Sequence, residues 1–191
     1  EKIIDENKKL IFISGPSSSG KTTFAKRLSI QLRAMGYKSI PISLDDYFKD
    51  RDELRKEQGD NMNFEVLEAL DIKLLNNHLR KMLECEKLEI PTYDFKSGAK
   101  IMNSREINPD DETFIILEGI HGINPNLTPQ ISPEHKFKIY VSALTHLNFN
   151  HFNRISTHDM RLIRRVVRDA RYRNYTADET IKLWKNVVDG E

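Results

Sequence analysis

Only one cysteine, Cys85, occurs among the 191 residues. That excludes an intrachain disulfide framework and leaves no Cys cluster for zinc. Such sparing use suits a reducing compartment, so a cytoplasmic location is expected. No apolar run approaches the roughly 18 residues of a membrane span, so no membrane association is expected. Net charge is nearly absent too: 30 Lys+Arg face 29 Asp+Glu, a formal +1. No broad electrostatic grip on nucleic acid follows from that balance, and no nucleic-acid partner is expected. Internal repeats and low-complexity tracts are missing as well. The chain starts at Glu1 without a Met, as expected of a piece of a longer polypeptide. What is present, 38% hydrophobic and 31% charged residues, has the composition of a globular domain. Its length suits one domain over residues 1–191, able to bury a core without crosslinks.

Leu10-Ile11-Phe12-Ile13 is an unbroken apolar run ending in Ser14-Gly15-Pro16. Such runs mark strands buried on both faces of a parallel sheet. Similar strands are expected at Ser39–Leu44, Thr113–Gly119 and Phe137–Ser142. Helical spacing of apolar residues predicts helices over Lys21–Met35, Glu65–Glu84, Asp159–Tyr172 and Ala177–Val188. Asp50–Asn61 is charged and reads as a loop. Leu88–Phe95 and Ala99–Ile107 flank Lys96-Ser97-Gly98, which predicts a hairpin. Strands alternating with helices argue for an α/β fold with right-handed crossovers. Ligands then sit at the carboxyl ends of the strands, so the residues after each strand are the candidates.

Gly15-Pro16-Ser17-Ser18-Ser19-Gly20-Lys21-Thr22 fits G-x-x-x-x-G-K-[ST] between an apolar strand and a helix. Glycines allow the backbone N–H groups to close on a phosphate, and the positive end of the helix points at the same place. Lys21 adds a full charge near the β- and γ-phosphates, and the Thr22 hydroxyl can ligate Mg²⁺. Thr23 lies in the first helical turn, near the α-phosphate. The loop alone implies a nucleoside triphosphate; the guanine-reading Asn-Lys-x-Asp and the Leu-Ser-Gly-Gly signature are absent.

Leu44-Asp45-Asp46-Tyr47-Phe48 follows the second strand. A carboxylate there lies beside the γ-phosphate and can take a proton from an incoming hydroxyl. With Pro91-Thr92-Tyr93-Asp94-Phe95 and Ile116-Leu117-Glu118-Gly119-Ile120, this chain resembles the uridine kinase/phosphoribulokinase family of P-loop kinases. The resemblance runs in order over nearly the whole chain. It implies a P-loop NTPase-type parallel sheet flanked by helices, a β-hairpin substrate insertion near 88–108 and a helical arginine lid near 158–176. ATP and Mg²⁺ are the implied cofactors and a nucleoside the implied partner; a homo-oligomer is left open.

Residue by residue, the resemblance implies that Asp45 is the general base, with Asp46 the alternative. Glu65 stands where the family holds ribose hydroxyls with an Asp. Tyr93 and Phe95 would line the base pocket, with Phe48 also among the substrate-binding residues. Glu118 would act near Mg²⁺ through a water. The chain departs from the pattern at Lys96-Ser97-Gly98-Ala99: Gly98 stands where uridine–cytidine kinases place a base-reading His.

Arg161, Arg164, Arg165 and Arg168 share one helical face, beside apolar Leu162, Ile163, Val166, Val167 and Ala170. Like charges at this spacing repel unless an anion offsets them, and the planar guanidinium fork suits phosphate oxygens. By resemblance, Arg165, Arg168 and Arg173 match phosphate-contacting arginines of the lid; Arg165 would touch nucleotide and acceptor alike. The expected reaction is ATP-dependent phosphorylation of a nucleoside 5′-hydroxyl. A phosphoribulokinase-like kinase of another alcohol and a nucleotide-binding regulatory module are the alternatives.

Overall fold

The computed structural model describes residues 2–59, 62–143, 150–151 and 155–189. A short helix α1 (Lys2–Asp5) leads into β1 (Leu10–Ser14), α2 (Lys21–Ala34) and β2 (Lys38–Ser43). There follow α3 (Arg51–Gln58), α4 (Ile72–Leu83), β3 (Leu88–Asp94), β4 (Ala99–Ile107), β5 (Thr113–Glu118), β6 (Lys136–Tyr140), α5 (Thr157–Tyr172) and α6 (Ala177–Asp189). The main sheet is parallel, in the order β2-β5-β1-β6. This is the expected α/β architecture.

Both faces of β1 are covered, which explains its unbroken apolar sequence. Leu10 and Phe12 pack with Ile115, Leu117 and the α4 residues Leu75, Leu79 and Met82. Ile11 and Ile13 pack on the other face with Phe114, Ile116 and the α2 residues Ala25 and Leu32. Each such side chain contributes about 1.5–3 kcal/mol of hydrophobic free energy. Register then aligns the chemistry. Ser43 at the end of β2 and Ile13 near the end of β1 both stand opposite Glu118 at the end of β5. Three strand ends thus meet at one level of the sheet's carboxyl edge.

The hairpin β3–β4 forms a sheet of its own. Its register shifts between Ile90 and Thr92, where Pro91 has no N–H to donate. Leu88, Ile90, Tyr93 and Ile107 join the core on the α4 side.

Two expectations are corrected. Arg51–Gln58 is a helix rather than loop. Asp52 and Glu53 in its first turn and Arg55 and Lys56 in its last complement the helix dipole, and fully buried Leu54 anchors it. Residues 60 and 61, at the end of that expected loop, lie outside the described residues. The helix expected from Glu65 starts only at Ile72. Asp71 caps it, its Oδ1 accepting from Leu74 N–H at 3.0 Å. Upstream, Leu70 is drawn into an antiparallel bridge with Phe48.

The arginine helix α5 buries charge and exposes part of its apolar stripe. Arg165 and Asp169 are buried, 8% and 3% exposed, whereas Ile163 and Val167 are 56% and 46% exposed. Ala170 is exposed too. On this helix Arg165 and Asp169 are the buried side chains, paired with each other and, for Arg165, with Glu65; Arg164 stays exposed, and Leu162 and Val166 of the apolar stripe are half-buried.

Candidate active site

A cavity of about 560 Å³ opens at the carboxyl edge of the sheet, walled by the phosphate loop, the turn after β2, the hairpin and α5. Its size suits a drug-sized ligand.

The loop is shaped by backbone demands. Gly15 has φ +152°, and a Cβ there would stand 2.4 Å from Val141 O, so no side chain fits. Gly20 at φ +102° turns the chain into α2. Ser18, at φ +60°, adopts the left-handed conformation without being glycine. The Lys21 side chain arches back, its Nζ donating to Gly15 O at 2.8 Å and Pro16 O at 3.0 Å. The Ser18 and Ser19 hydroxyls are buried and have no hydrogen-bond partner among the described residues. Buried donors left in that state are costly, and a phosphate in the loop would satisfy them. Ser17, Ser18, Gly20, Lys21, Thr22 and Thr23 border the cavity. Gly15 and Pro16 instead border a second cavity, shared with Glu65, Ile120 and His121, and Ser19 borders neither. These three build the loop rather than line the cavity.

Thr22 Oγ1 donates to Glu118 Oε1 at 2.9 Å. Burial, reinforced by the negative charge of Asp45, pushes the Glu118 carboxyl above its ordinary value, against the pull of Thr22 and Lys21. Asp45 and Asp46 sit on a one-turn 3₁₀ helix, Leu44–Tyr47, capped by Ser43 Oγ, which accepts from Asp45 N–H at 3.3 Å. The two carboxylates part company there. Asp45 Oδ2 accepts from Arg173 Nη2 across the cavity at 3.2 Å. Asp46 Oδ1 accepts from Tyr93 N–H at 3.3 Å and so ties the hairpin to the turn. Burial raises the Asp46 carboxyl above its ordinary value.

The far end of the cavity is an aromatic cage. Phe48 meets Phe64 and Tyr93 edge-to-face, both at 5.6 Å between centroids, and Tyr93 meets Phe95 at 5.2 Å. The Arg173 guanidinium lies 4.1 Å from the Phe95 ring centre. Glu65 also reaches the site, accepting from Arg165 Nη1 at 3.2 Å; burial raises its carboxyl, opposed by Arg165.

Arg165 Nη1 donates to Ser17 Oγ as well, at 2.8 Å, which joins α5 to the phosphate loop. Arg165 Nε and Arg168 Nε both donate to the Asp169 carboxylate, at 3.1 and 2.9 Å, and Arg173 Nε stands 3.8 Å from it. Arg168 Nη2 is buried and stands 2.9 Å from Asp169 Oδ1, an ion pair without hydrogen-bond geometry. Desolvation pulls the Arg168 pKa below its ordinary value. Every residue expected from the sequence thus belongs to the cavity wall or the loop behind it. Sequence reasoning missed Asp169 as an organiser, although it stands four residues after Arg165, the helical ion-pair spacing. It also missed Phe64 and Arg51, which no motif marked.

The family model described as Phosphoribulokinase / Uridine kinase family matches residues 10–189. The chain belongs to that family. It is an ATP-dependent kinase. A uridine kinase of Clostridium perfringens is 32% identical over 179 residues, 93% of this chain and 76% of that protein. One from Mycoplasma genitalium is 31% identical over 185 residues, 97% of this chain and 78% of its own. Among solved structures, a candidate fructose transport system kinase from Silicibacter sp. TM1040 superposes with a TM-score of 0.68 at 16% identity, covering 96% of this chain and 82% of its own. A possible uridine kinase from Bacillus stearothermophilus gives 0.57 at 24% identity, over 73% and 81%. Both likenesses concern the fold. Among the described residues, no helix of this kinase is long and apolar enough to cross a membrane.

Proposed function

We propose that this kinase transfers the γ-phosphoryl group of ATP to the 5′-hydroxyl of a nucleoside, releasing ADP and the nucleoside 5′-monophosphate. One observation carries the reading: the Asp45 carboxylate is bound by Arg173, which lies over the Phe95 ring, and its charge also reaches Glu118, the partner of Thr22 in the phosphate loop. An alcohol held by its flat ring in the cage would present its hydroxyl to Asp45 and then to the loop. The cage favours a nucleobase over a sugar phosphate, since stacking on a base is worth ~1–3 kcal/mol. The names of the relatives agree.

In this reading the loop amides and the Ser17–Ser19 hydroxyls hold the triphosphate, while Lys21 stabilises the transferring group. Arg165 and Arg168 on α5 and Arg173 just past its end hold its oxygens. Phe48, Tyr93 and Phe95 clamp the base, and Glu65 holds the ribose hydroxyls with Arg165. Asp45 orients the 5′-hydroxyl and accepts its proton. The hairpin is the acceptor insertion, and α5 with the residues up to about 176 is the lid. Arg173 leaves Asp45 for phosphate when nucleotide arrives. Positioning and electrostatics do most of the work, as in other phosphoryl transfers.

The donor set suits Mg²⁺. Thr22 and Glu118 offer oxygens only, and no cluster of three or more His, Cys, Asp or Glu ligands exists among the described residues. A Mg²⁺ site needs few protein ligands when phosphates and waters complete it. Thr22 would ligate the ion directly and Glu118 through a water. When bound there, such an ion would neutralise charge on the phosphate oxygens.

A coupled ADP-release screen over nucleosides and ribulose 5-phosphate tests the assignment. Little ADP release from ATP alone and strong stimulation by a nucleoside is expected. Stimulation by ribulose 5-phosphate alone, or by nothing, refutes it.

A further inference from the structure

Gly98 sits in the hairpin turn at φ +72°. A Cβ there would stand 2.6 Å from Arg51 Nε and 2.7 Å from Arg51 Cζ. The guanidinium of Arg51 therefore packs onto the bare Cα of Gly98, in space that any side chain at 98 would claim. Two bonds hold the first turn of α3 to the hairpin tip. Arg51 N–H donates to Gly98 O at 2.9 Å, and Asp50 Oδ1 accepts from Lys100 N–H at 2.6 Å.

The main chain of Arg51 is thus fixed, but its guanidinium has no hydrogen bond or ion pair among the described residues. It borders the cavity together with Phe48, Phe64, Tyr93 and Phe95. Its charge also reaches the Tyr93 phenol: burial raises that hydroxyl and Arg51 partly opposes the rise. Carboxylates nearby are committed elsewhere. Asp50 holds the Lys100 amide, and Asp94 holds the Lys96 and Ser97 amides and the Ser97 hydroxyl. The edge of the cage is therefore rich in donors and poor in acceptors.

We propose that Arg51 is a specificity-determining residue that reads the edge of the ring held in the cage, favouring a carbonyl oxygen over an amino group. The inference rests on the nucleoside reading and deepens it. A guanidinium carries five N–H donors and no acceptor. It complements the carbonyl edge of a uracil-type base. Against the exocyclic amino group of a cytosine-type base it presents donor to donor. Arg51 comes from a helix and Gly98 from a hairpin, so the reader and the space it occupies come from separate elements.

The test is the kcat/KM for uridine and for cytidine, measured for the unaltered chain, Arg51→Ala and Arg51→Lys, with melting temperatures alongside. The unaltered chain should prefer uridine by on the order of 10- to 100-fold, the usual worth of a hydrogen bond from a charged donor. Arg51→Ala should lose that preference through a raised KM for uridine, with kcat and the cytidine value nearly unchanged. Arg51→Lys, which keeps the charge but not the fork, should recover only part of it. Equal use of both nucleosides by the unaltered chain overturns the proposal and leaves the nucleoside reading standing. So does an equal fall for both substrates in Arg51→Ala, or a preference that survives there. If no nucleoside is phosphorylated while another alcohol is, the nucleoside reading falls and takes this proposal with it.

Discussion

Replacing Asp45 and Asp46 separately by Asn divides chemistry from architecture at adjacent positions. Asp45 faces the open cavity and is paired with Arg173 at 3.2 Å. Both partners of that pair are partly exposed, so breaking it costs under about 1 kcal/mol, or less than ~4 °C in Tm. As general base, however, Asp45 is worth at least ~100-fold in turnover, about 2.7 kcal/mol of barrier. Asp45→Asn should therefore bind ATP, melt almost as the parent does and turn over at least ~100-fold more slowly. Asp46 is the reverse case. An Asn there still offers an oxygen to Tyr93 N–H, and burial already disfavours the Asp46 charge. Asp46→Asn should keep turnover within ~3-fold and be no less stable at neutral pH. Steady-state ADP release and thermal denaturation of both variants decide the matter. A hundred-fold loss in Asp46→Asn with an active Asp45→Asn refutes the assignment.

Lys21→Ala removes the cation that bridges the mouth of its own loop; turnover should fall at least ~100-fold, and near-normal ADP release would overturn the phosphate-loop reading. Glu118→Gln trades activity for stability. Burial and Asp45 hold the Glu118 pKa above its ordinary value, so its contribution to stability is full at low pH and lost as pH rises through the folded value. The Gln variant should melt higher than the parent at neutral pH and converge with it in acid, while turnover drops ~10- to 100-fold. A lower melting point at pH 7 refutes the sign. Asp169→Asn strips the buried counter-charge from Arg165 and Arg168 and should cost about 3 kcal/mol, roughly 6–12 °C in Tm. ATP should raise the variant's Tm more than the parent's, because phosphates replace the missing charge; equal shifts would count against that role.

Elements whose signal is local could be read directly along the chain. A short apolar run such as Leu10–Ile13, closed by Ser14-Gly15-Pro16, suits a strand buried on both faces, and the loop from Gly15 to Thr22 carries its backbone geometry in its glycines. Asp45 and Glu118 could be singled out because they follow strands, and the arginines near 161–173 because helical spacing and the family resemblance mark them. Less of α3 and α4 could be read. Their starts depend on Leu70 bridging to Phe48 and on Asp50 holding the hairpin, contacts with distant segments. Packing in three dimensions settled three further points. It buried Arg165 of α5, whose charge Glu65 and the helix's own Asp169 offset, and set Arg173, just past the helix, against Asp45. It tied Asp46 to the hairpin backbone and paired Asp45 with Arg173, although both line the cavity. It also laid Arg51 over Gly98. Charge and hydrogen bonding act through space, so no spacing along the chain could have announced these pairings.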